Sequence, residues 1–251
     1  MPRPPAPAAR PAAPPAREPL YRIVKAEVTR ALRQGLWAPG QAIPSEAELA
    51  QRYHVSPGTV RKAIAELAAE HLLVRHQGRG TFVATHAEAG VQYRFLRLTP
   101  DQGLVQPLQR RMLSCTRERA SAEVARALEL RSGDLVIRVQ RLLLADDRPV
   151  VYDDLWLPGV AFRALDLPRL QQHQGTMYRL FETSFGIRMI RAEEQIRAVA
   201  ADAERAQALA VPQGAPLLWV QRRAFTYDDR PMEWRHGWYE TSAHHYRHAL
   251  N

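Results

Sequence analysis

Two groups of side chains in this 251-residue chain have types and spacings suited to recognition chemistry. The first lies between Ser45 and Thr81. Gly58, Arg61 and Lys62 stand early in one amphipathic stretch, and Gly78-Arg79-Gly80 follows in a turn-like segment. Small residues let a backbone come close to a surface, and Lys and Arg donate charge-assisted hydrogen bonds to phosphate oxygens and base edges. The second group is Arg141, Asp153 and Glu233, one base opposed by two acids. That set suits a small molecule carrying one anionic group together with amine, imidazole or hydroxyl donors.

The first group needs a scaffold, and the surrounding residues predict one. Leu20 to Leu32 places Leu20, Ile23, Val24, Val28, Ala31 and Leu32 on one helical face. Ser45 with Glu48 three residues later is a capping box, so a second helix starts there. Ser56 caps a third, with Pro57 at its first position, where a missing N–H costs nothing. On that helix Val60, Ile64 and Leu67 share a narrow arc, while Gly58, Lys62, Ala65 and Ala69 fall opposite and Arg61 sits on the flank. Helices in this succession let the last enter a major groove of double-stranded DNA while its neighbour braces it. Leu72–Arg75 and Thr81–Val83 then read as two strands joined by a turn, His76-Gln77-Gly78-Arg79-Gly80. An arginine on that tip suits a narrow minor groove. Alone, these pieces would be an αα-hairpin and a tight turn with a solvated charge; in sequence they form a winged helix-turn-helix over residues 18–84.

Composition sets the frame. A formal charge of +9 favours a polyanionic partner. The single cysteine, Cys115, excludes an internal disulfide framework, suits a reducing cytoplasm and reads as an inert thiol. No apolar run reaches the length of a membrane span, so no membrane partner is expected. Residues 1–17 are rich in proline and alanine and read as a disordered arm; residues 85–92 read as a linker, and 93–251 as a second domain.

That second domain repeats itself. Ala120–Leu128 resembles Ala201–Leu209, each followed by a glycine and a strand ending in Val-Gln-Arg, at Val139-Gln140-Arg141 and Val220-Gln221-Arg222. Asp146-Asp147-Arg148-Pro149 and Asp228-Asp229-Arg230-Pro231 then turn into further strands. Two helix–strand–turn–strand units should pair into one antiparallel sheet about a pseudo-two-fold axis. The fold class is therefore α+β: a winged helix-turn-helix followed by an antiparallel-sheet domain with an internal repeat. Strand parity puts Asp153 and Glu233 on matching faces, and likewise Arg141 and Arg222. The charges line a polar cleft, or they form cross-strand ion pairs on solvated faces; parity leaves both open.

Residues 19–84 resemble the winged helix-turn-helix of GntR-family bacterial regulators, through Pro44-Ser45-Glu46, Thr59-Val60-Arg61 and Gly78-Arg79-Gly80-Thr81. The resemblance implies DNA contacts from Ser45, Glu46, Ser56, Gly58, Thr59, Arg61 and Lys62, and from the wing residues His76, Gln77, Gly78, Arg79, Gly80 and Thr81. Many members carry arginine where Ala47 and Pro57 stand. Residues 93–248 resemble the UTRA effector domain of the HutC-type branch, whose fold is chorismate-lyase-like. By that pattern Arg141 holds an anionic group, Asp153 and Glu233 accept hydrogen bonds, and Tyr239 closes the site. Glu240 stands where the family's arginine follows that tyrosine. The implied protein is a homodimeric repressor on a palindromic operator. Its effector would be an amino-acid derivative or a sugar phosphate, with two acids against one base favouring the former.

The sequence also offers residues for other chemistries. His244, His245 and His248, near His236, would meet on a helix and could hold a metal, or belong to a solvated tail. A lyase-like enzyme fused to a DNA-binding domain is the rival class, but no nucleophile–base pair or phosphate-binding glycine loop accompanies Arg141 and Glu233. The expectation is a regulator with no metal and no cofactor.

Overall fold

The computed structural model describes residues 18–86 and 97–247, so the proline-rich arm, most of the expected linker and His248 lie outside the described residues. The chain divides into two compact units after Val83. Ala84, Thr85 and His86, which the sequence placed in the wing's end and the linker, belong to the second unit.

In the first unit, α1 (Leu20–Arg33) packs on α3 (Pro57–Ala69), with α2 (Glu46–Tyr53) against α3. Val24, Val28, Leu32, Leu49, Val60, Ile64 and Leu67 form its core. Leu20 and Ile23, expected on the buried face of α1, are 58% and 44% exposed, because the buried stripe begins only at Val24. Ser45 and Glu48 form the reciprocal capping box, and Ser56 Oγ accepts from the Thr59 amide. Strands β1 (Leu73–His76) and β2 (Gly80–Val83) follow, paired from Leu73↔Val83 to His76↔Gly80. The hairpin is thus longer than expected, with His76 and Gly80 in the ladder and only Gln77, Gly78 and Arg79 turning. Backbone bonds from Gly40 to Val83 and from Ile43 to Thr81 lay the preceding segment along β2.

In the second unit, β3 (Leu98–Pro100) pairs with β10 (His244–Tyr246) in a small separate ladder. The main sheet has six antiparallel strands in the order β4 (Gln109–Arg119), β5 (Leu135–Ala145), β6 (Arg148–Pro158), β9 (Pro231–Glu240), β8 (Pro216–Phe225), β7 (Arg191–Ala200). Each half is a strand, a short helix and a hairpin: β4–α4–β5–β6 and β7–α7–β8–β9, with α4 at Ala122–Ala127 and α7 at Ala203–Leu209. The halves meet where β6 pairs with β9, which is where a pseudo-two-fold axis belongs. The repeat therefore includes an outer strand in each copy that the sequence did not reveal. β4 and β7 are charged sheet edges without clean alternation, a composition that also discourages edge-to-edge association.

One sheet face is covered by α5 (Leu167–Gln172) and α6 (Met177–Phe185), whose Leu170, Met177, Leu180 and Phe181 pack on Ile137, Val139, Leu155 and Leu157. α4 and α7 cover the other face, against Val136 and Trp234, and against Leu142, Tyr152 and Leu217.

Candidate nucleic-acid interface and effector cavity

In the first unit, the outer face of α3 begins at its N-terminus. Gly58, Arg61 and Lys62 are exposed, and Thr59 Oγ1 lies 2.9 Å from Ser56 Oγ. The Arg61 guanidinium is not loose: its Nε donates to Glu46 Oε2 at 2.9 Å. Arg75 on β1 donates to the other Glu46 oxygen at 3.2 Å and to the Arg61 carbonyl at 3.3 Å. Glu46 thus ties α2, α3 and the hairpin together, in the geometry of a brace for Arg61 rather than of a phosphate ligand. Ser45 has its hydroxyl and amide engaged in the capping box. The Lys62 ammonium lies 3.9 Å from the Tyr21 ring centroid, which orients it along the helix flank.

At the hairpin tip, Gly78 and Gly80 have φ of +71° and +106°. A Cβ at either position would meet nothing within 4 Å. Backbone conformation, not crowding, requires glycine there, and it leaves the tip's backbone bare to an approaching surface. Arg79 and His76 stand beside Phe82, the guanidinium 5.9 Å from its ring and the imidazole 5.0 Å. Gln77 occupies the turn and Thr81 the start of β2.

In the second unit, cross-strand register brings the charged residues together. Arg141 faces Asp153, and Arg222 faces Arg235, all on the face beneath α5 and α6. Arg141 bonds Asp153 Oδ2 at 2.8 Å through Nε and 2.7 Å through Nη2; Arg235 reaches the same oxygen at 3.4 Å. Arg235 also binds Glu233 at 2.7 Å, and the Tyr178 hydroxyl donates to Glu233 at 2.9 Å. Arg222 binds Glu194 at 2.5 Å. Each of the two readings left open by parity holds in part: the acids and arginines do form ion pairs, buried rather than solvated, and the arginines also face a polar cavity. Asp153 and Glu233 are both 0% exposed.

A cavity of about 680 Å³ opens above these arginines. Arg110, Arg111, Arg141, Arg222 and Arg235 line it with His173, Thr176, Tyr178, Gln171, Gln174 and apolar walls including Met112 and Leu170. No carboxylate among the described residues lines it. Asp153 and Glu233, expected to meet a ligand, lie beneath the arginines as counter-ions, and Tyr239, expected to close the site, is buried against Leu143, Val151 and Val220. Charge selection in the cavity is therefore the reverse of the balance counted from sequence.

The electrostatics sharpen this. Burial pushes the Asp153 carboxyl up, but Arg235 and Arg141 outweigh it and hold it below the ordinary aspartate range. Burial likewise opposes charge on Arg235, and Glu233 with Asp153 more than restores it. Arg110 is different. Its guanidinium bonds backbone carbonyls, at Leu170 in α5 and at His173 and Gly175 in the segment between α5 and α6. Burial and the neighbouring Arg141 pull its pKa down to about 10, so it stays charged at neutral pH without a carboxylate among the described residues.

Arg110 escaped the sequence reading because β4 is not legible as a strand. Arg222 and Arg235 were visible, Arg222 as the twin of Arg141 in the repeated Val-Gln-Arg. The histidines separate: His244 and His245 are neighbours on strand β10, not on a helix, so they point to opposite faces, and His245 pairs with Asp101 at 2.7 Å. His236 lies on β9 among Trp156, Trp219, Trp234 and Trp238. No helix among the described residues is long and apolar enough to cross a membrane.

The chain matches bacterial regulatory proteins of the gntR family over residues 20–83 and the UTRA domain over 105–245. It is 30% identical to a probable fructoselysine utilization operon transcriptional repressor of Shigella flexneri, covering 85% of this chain and 87% of that one. It is 28% identical to the histidine utilization repressor of Pseudomonas putida, over 83% of each chain. Among solved structures, the ligand-binding domain of a protein described as a GntR-family transcriptional regulator from Bordetella bronchiseptica is 52% identical. That structure covers 63% of this chain and 99% of its own, with a TM-score of 0.61. These relatives are regulators rather than lyases. The chain belongs to the GntR family, in its HutC-type branch with a UTRA effector-binding domain, and is a DNA-binding transcriptional regulator rather than an enzyme.

Proposed function

We propose that this regulator is a homodimeric repressor of a palindromic operator, released when a small phosphorylated metabolite fills the arginine-lined cavity. One winged helix presents one recognition helix, and two-fold pairing is what gives such a module useful specificity. Its contacts would come from Gly58, Thr59, Arg61 and Lys62 with the Gln77–Arg79 tip, and Glu46 and Arg75 would hold Arg61 in place. The observation that carries the effector class is a cavity whose lining, among the described residues, has five arginines and no carboxylate. A phosphate takes planar, forked donors well, and Arg110 is a half-buried cation without an acidic partner among the described residues. Gln171, Gln174, Thr176 and Tyr178 add donors and acceptors for hydroxyl groups. Of the two effector classes, these features favour a sugar phosphate over a zwitterionic amino-acid derivative. Relatives are named for fructoselysine utilization and for histidine utilization.

The test is a thermal-shift panel on the full chain, comparing phosphorylated sugars with their unphosphorylated counterparts and with amino acids. Stabilisation confined to phosphorylated compounds and lost in Arg110→Gln is expected. Stabilisation by amino acids that survives Arg110→Gln would overturn the effector class.

A further inference from the structure

The segment leaving the DNA-binding unit is held by the wall of the cavity. Ala84 follows directly on β2, and the next two residues are tied to α6. Thr85 Oγ1 donates to Glu182 Oε2 at 2.7 Å, and the His86 amide donates to the same oxygen at 3.0 Å. The buried His86 imidazole bonds the Met189 carbonyl at 2.9 Å, and its ring centroid lies 5.5 Å from that of Tyr178. Tyr178 is itself a cavity wall and donates to Glu233.

Tyr178 and Glu182 are four residues apart on one face of α6, so a single helical turn separates the cavity from the latch. α6 is unable to absorb a shift by bending, because Met177, Leu180 and Phe181 are packed in the core. The other Glu182 oxygen lies 3.6 Å from Arg188, and both side chains are buried. A buried carboxylate that loses two donors requires new ones, so unseating Thr85 and His86 from Glu182 would be all-or-none rather than gradual.

We propose that Thr85 and His86, seated on Glu182 and Tyr178, are the element through which an occupied cavity acts on the chain leading to the DNA-binding unit. This rests on the cavity being the effector site. An anion drawn to Arg235 competes with Glu233, the acceptor of the Tyr178 hydroxyl, and Tyr178 passes its displacement to the His86 ring. Glu182 and His86 are positioning residues: neither lines the cavity, and neither stands on α3 or the hairpin.

Amide hydrogen exchange on the full chain tests this, with inorganic phosphate as the probe and the segment containing Thr85 and His86 as the readout. Saturating phosphate should protect β4 around Arg110 and raise exchange in the latch segment about fivefold or more, the lower end of typical coupling between sites. Tyr178→Phe should raise latch exchange without phosphate. His86→Ala should start at the raised level and show no further response, while phosphate still protects β4. Protection of β4 with an unmoved latch overturns the coupling and leaves the effector site standing. If phosphate fails to protect β4, it is the cavity reading that fails, and the latch then stands or falls on whether Tyr178→Phe raises exchange.

Discussion

At the scale of single residues, the effector unit is organised around Asp153. Its Oδ2 serves two guanidiniums, and Gly237 opposite it on β9 is there because nothing larger fits. A Cβ on Gly237 would lie 2.6 Å from Tyr239 Cε2 and 2.9 Å from Asp153 Oδ1. Gly237→Ala is therefore expected to destabilise this unit by roughly 1–3 kcal/mol through overpacking, read as a lower urea midpoint. Asp153→Ala would strand the buried Arg141 and leave Arg235 to Glu233 alone, at about 3–5 kcal/mol. The pH dependence has a definite sign. Because the folded Asp153 carboxyl titrates below its ordinary value of 3.8, its contribution is fully present above that value. It is lost only as pH falls through the lower folded value. Urea midpoints of wild type and Asp153→Asn should thus differ by a constant amount from about pH 5 to neutrality and converge only in acid below the carboxyl's ordinary value. Cys115 takes no part in this chemistry, since burial pushes its thiol up to about 11.

At the scale of elements, recognition depends on how α2, α3 and the hairpin share Glu46. Arg61→Ala should weaken operator binding by about 1–3 kcal/mol if its guanidinium contacts DNA, measured by gel shift with DNA upstream of the protein's own gene. Glu46→Gln should give a smaller loss, because it frees Arg61 and Arg75 without removing either charge. Gly78→Val separates fold from function. It meets no neighbour, so its folding cost is the left-handed strain alone, about 1–2 kcal/mol, while the added side chain blocks the tip's approach to DNA. Unaltered DNA affinity in both Arg61→Ala and Gly78→Val would remove these elements from the interface. Leu20 and Ile23 show the limit of periodicity at this scale. Helical spacing puts them on the apolar side of α1, but both side chains stay largely exposed in the helix's first turn.

At the scale of the molecule, a charge of +9 has two uses that are physically distinct. In the first unit, exposed cations on α3 and the hairpin are placed to exchange counterions with a polyanion. The logarithm of the DNA-binding constant should then fall linearly with that of salt, by about 0.9 per phosphate neutralised, and Arg79→Ala should flatten the slope by about one unit if its guanidinium tracks the backbone. A wild-type slope near zero is incompatible with that arrangement. In the second unit Arg141, Arg222 and Arg235 are buried and paired, so salt should barely affect these ion pairs. An effector can link the two units only by its differential affinity for two states of the chain, typically about 1–3 kcal/mol.

The sequence by itself determined whatever rests on local rules. Ser45–Glu48 and Ser56–Pro57 mark helix starts because capping involves residues within one turn, and Gly78 and Gly80 mark the hairpin tip because φ is a property of one residue. The internal repeat exposed the hairpins β5–β6 and β8–β9 and, through the period of two, the common face of Arg141, Asp153, Arg222 and Glu233. Only the tertiary structure decided which of those charges a ligand meets. Parity assigns a face, whereas depth depends on what covers it, and α5 and α6 come from a stretch outside the repeat. Packing placed Asp153 and Glu233 beneath the arginines, brought Arg110 in from an edge strand without readable alternation, and drew Thr85 and His86 onto α6. Each depends on partners dozens of residues away, and no local pattern encodes such a distance.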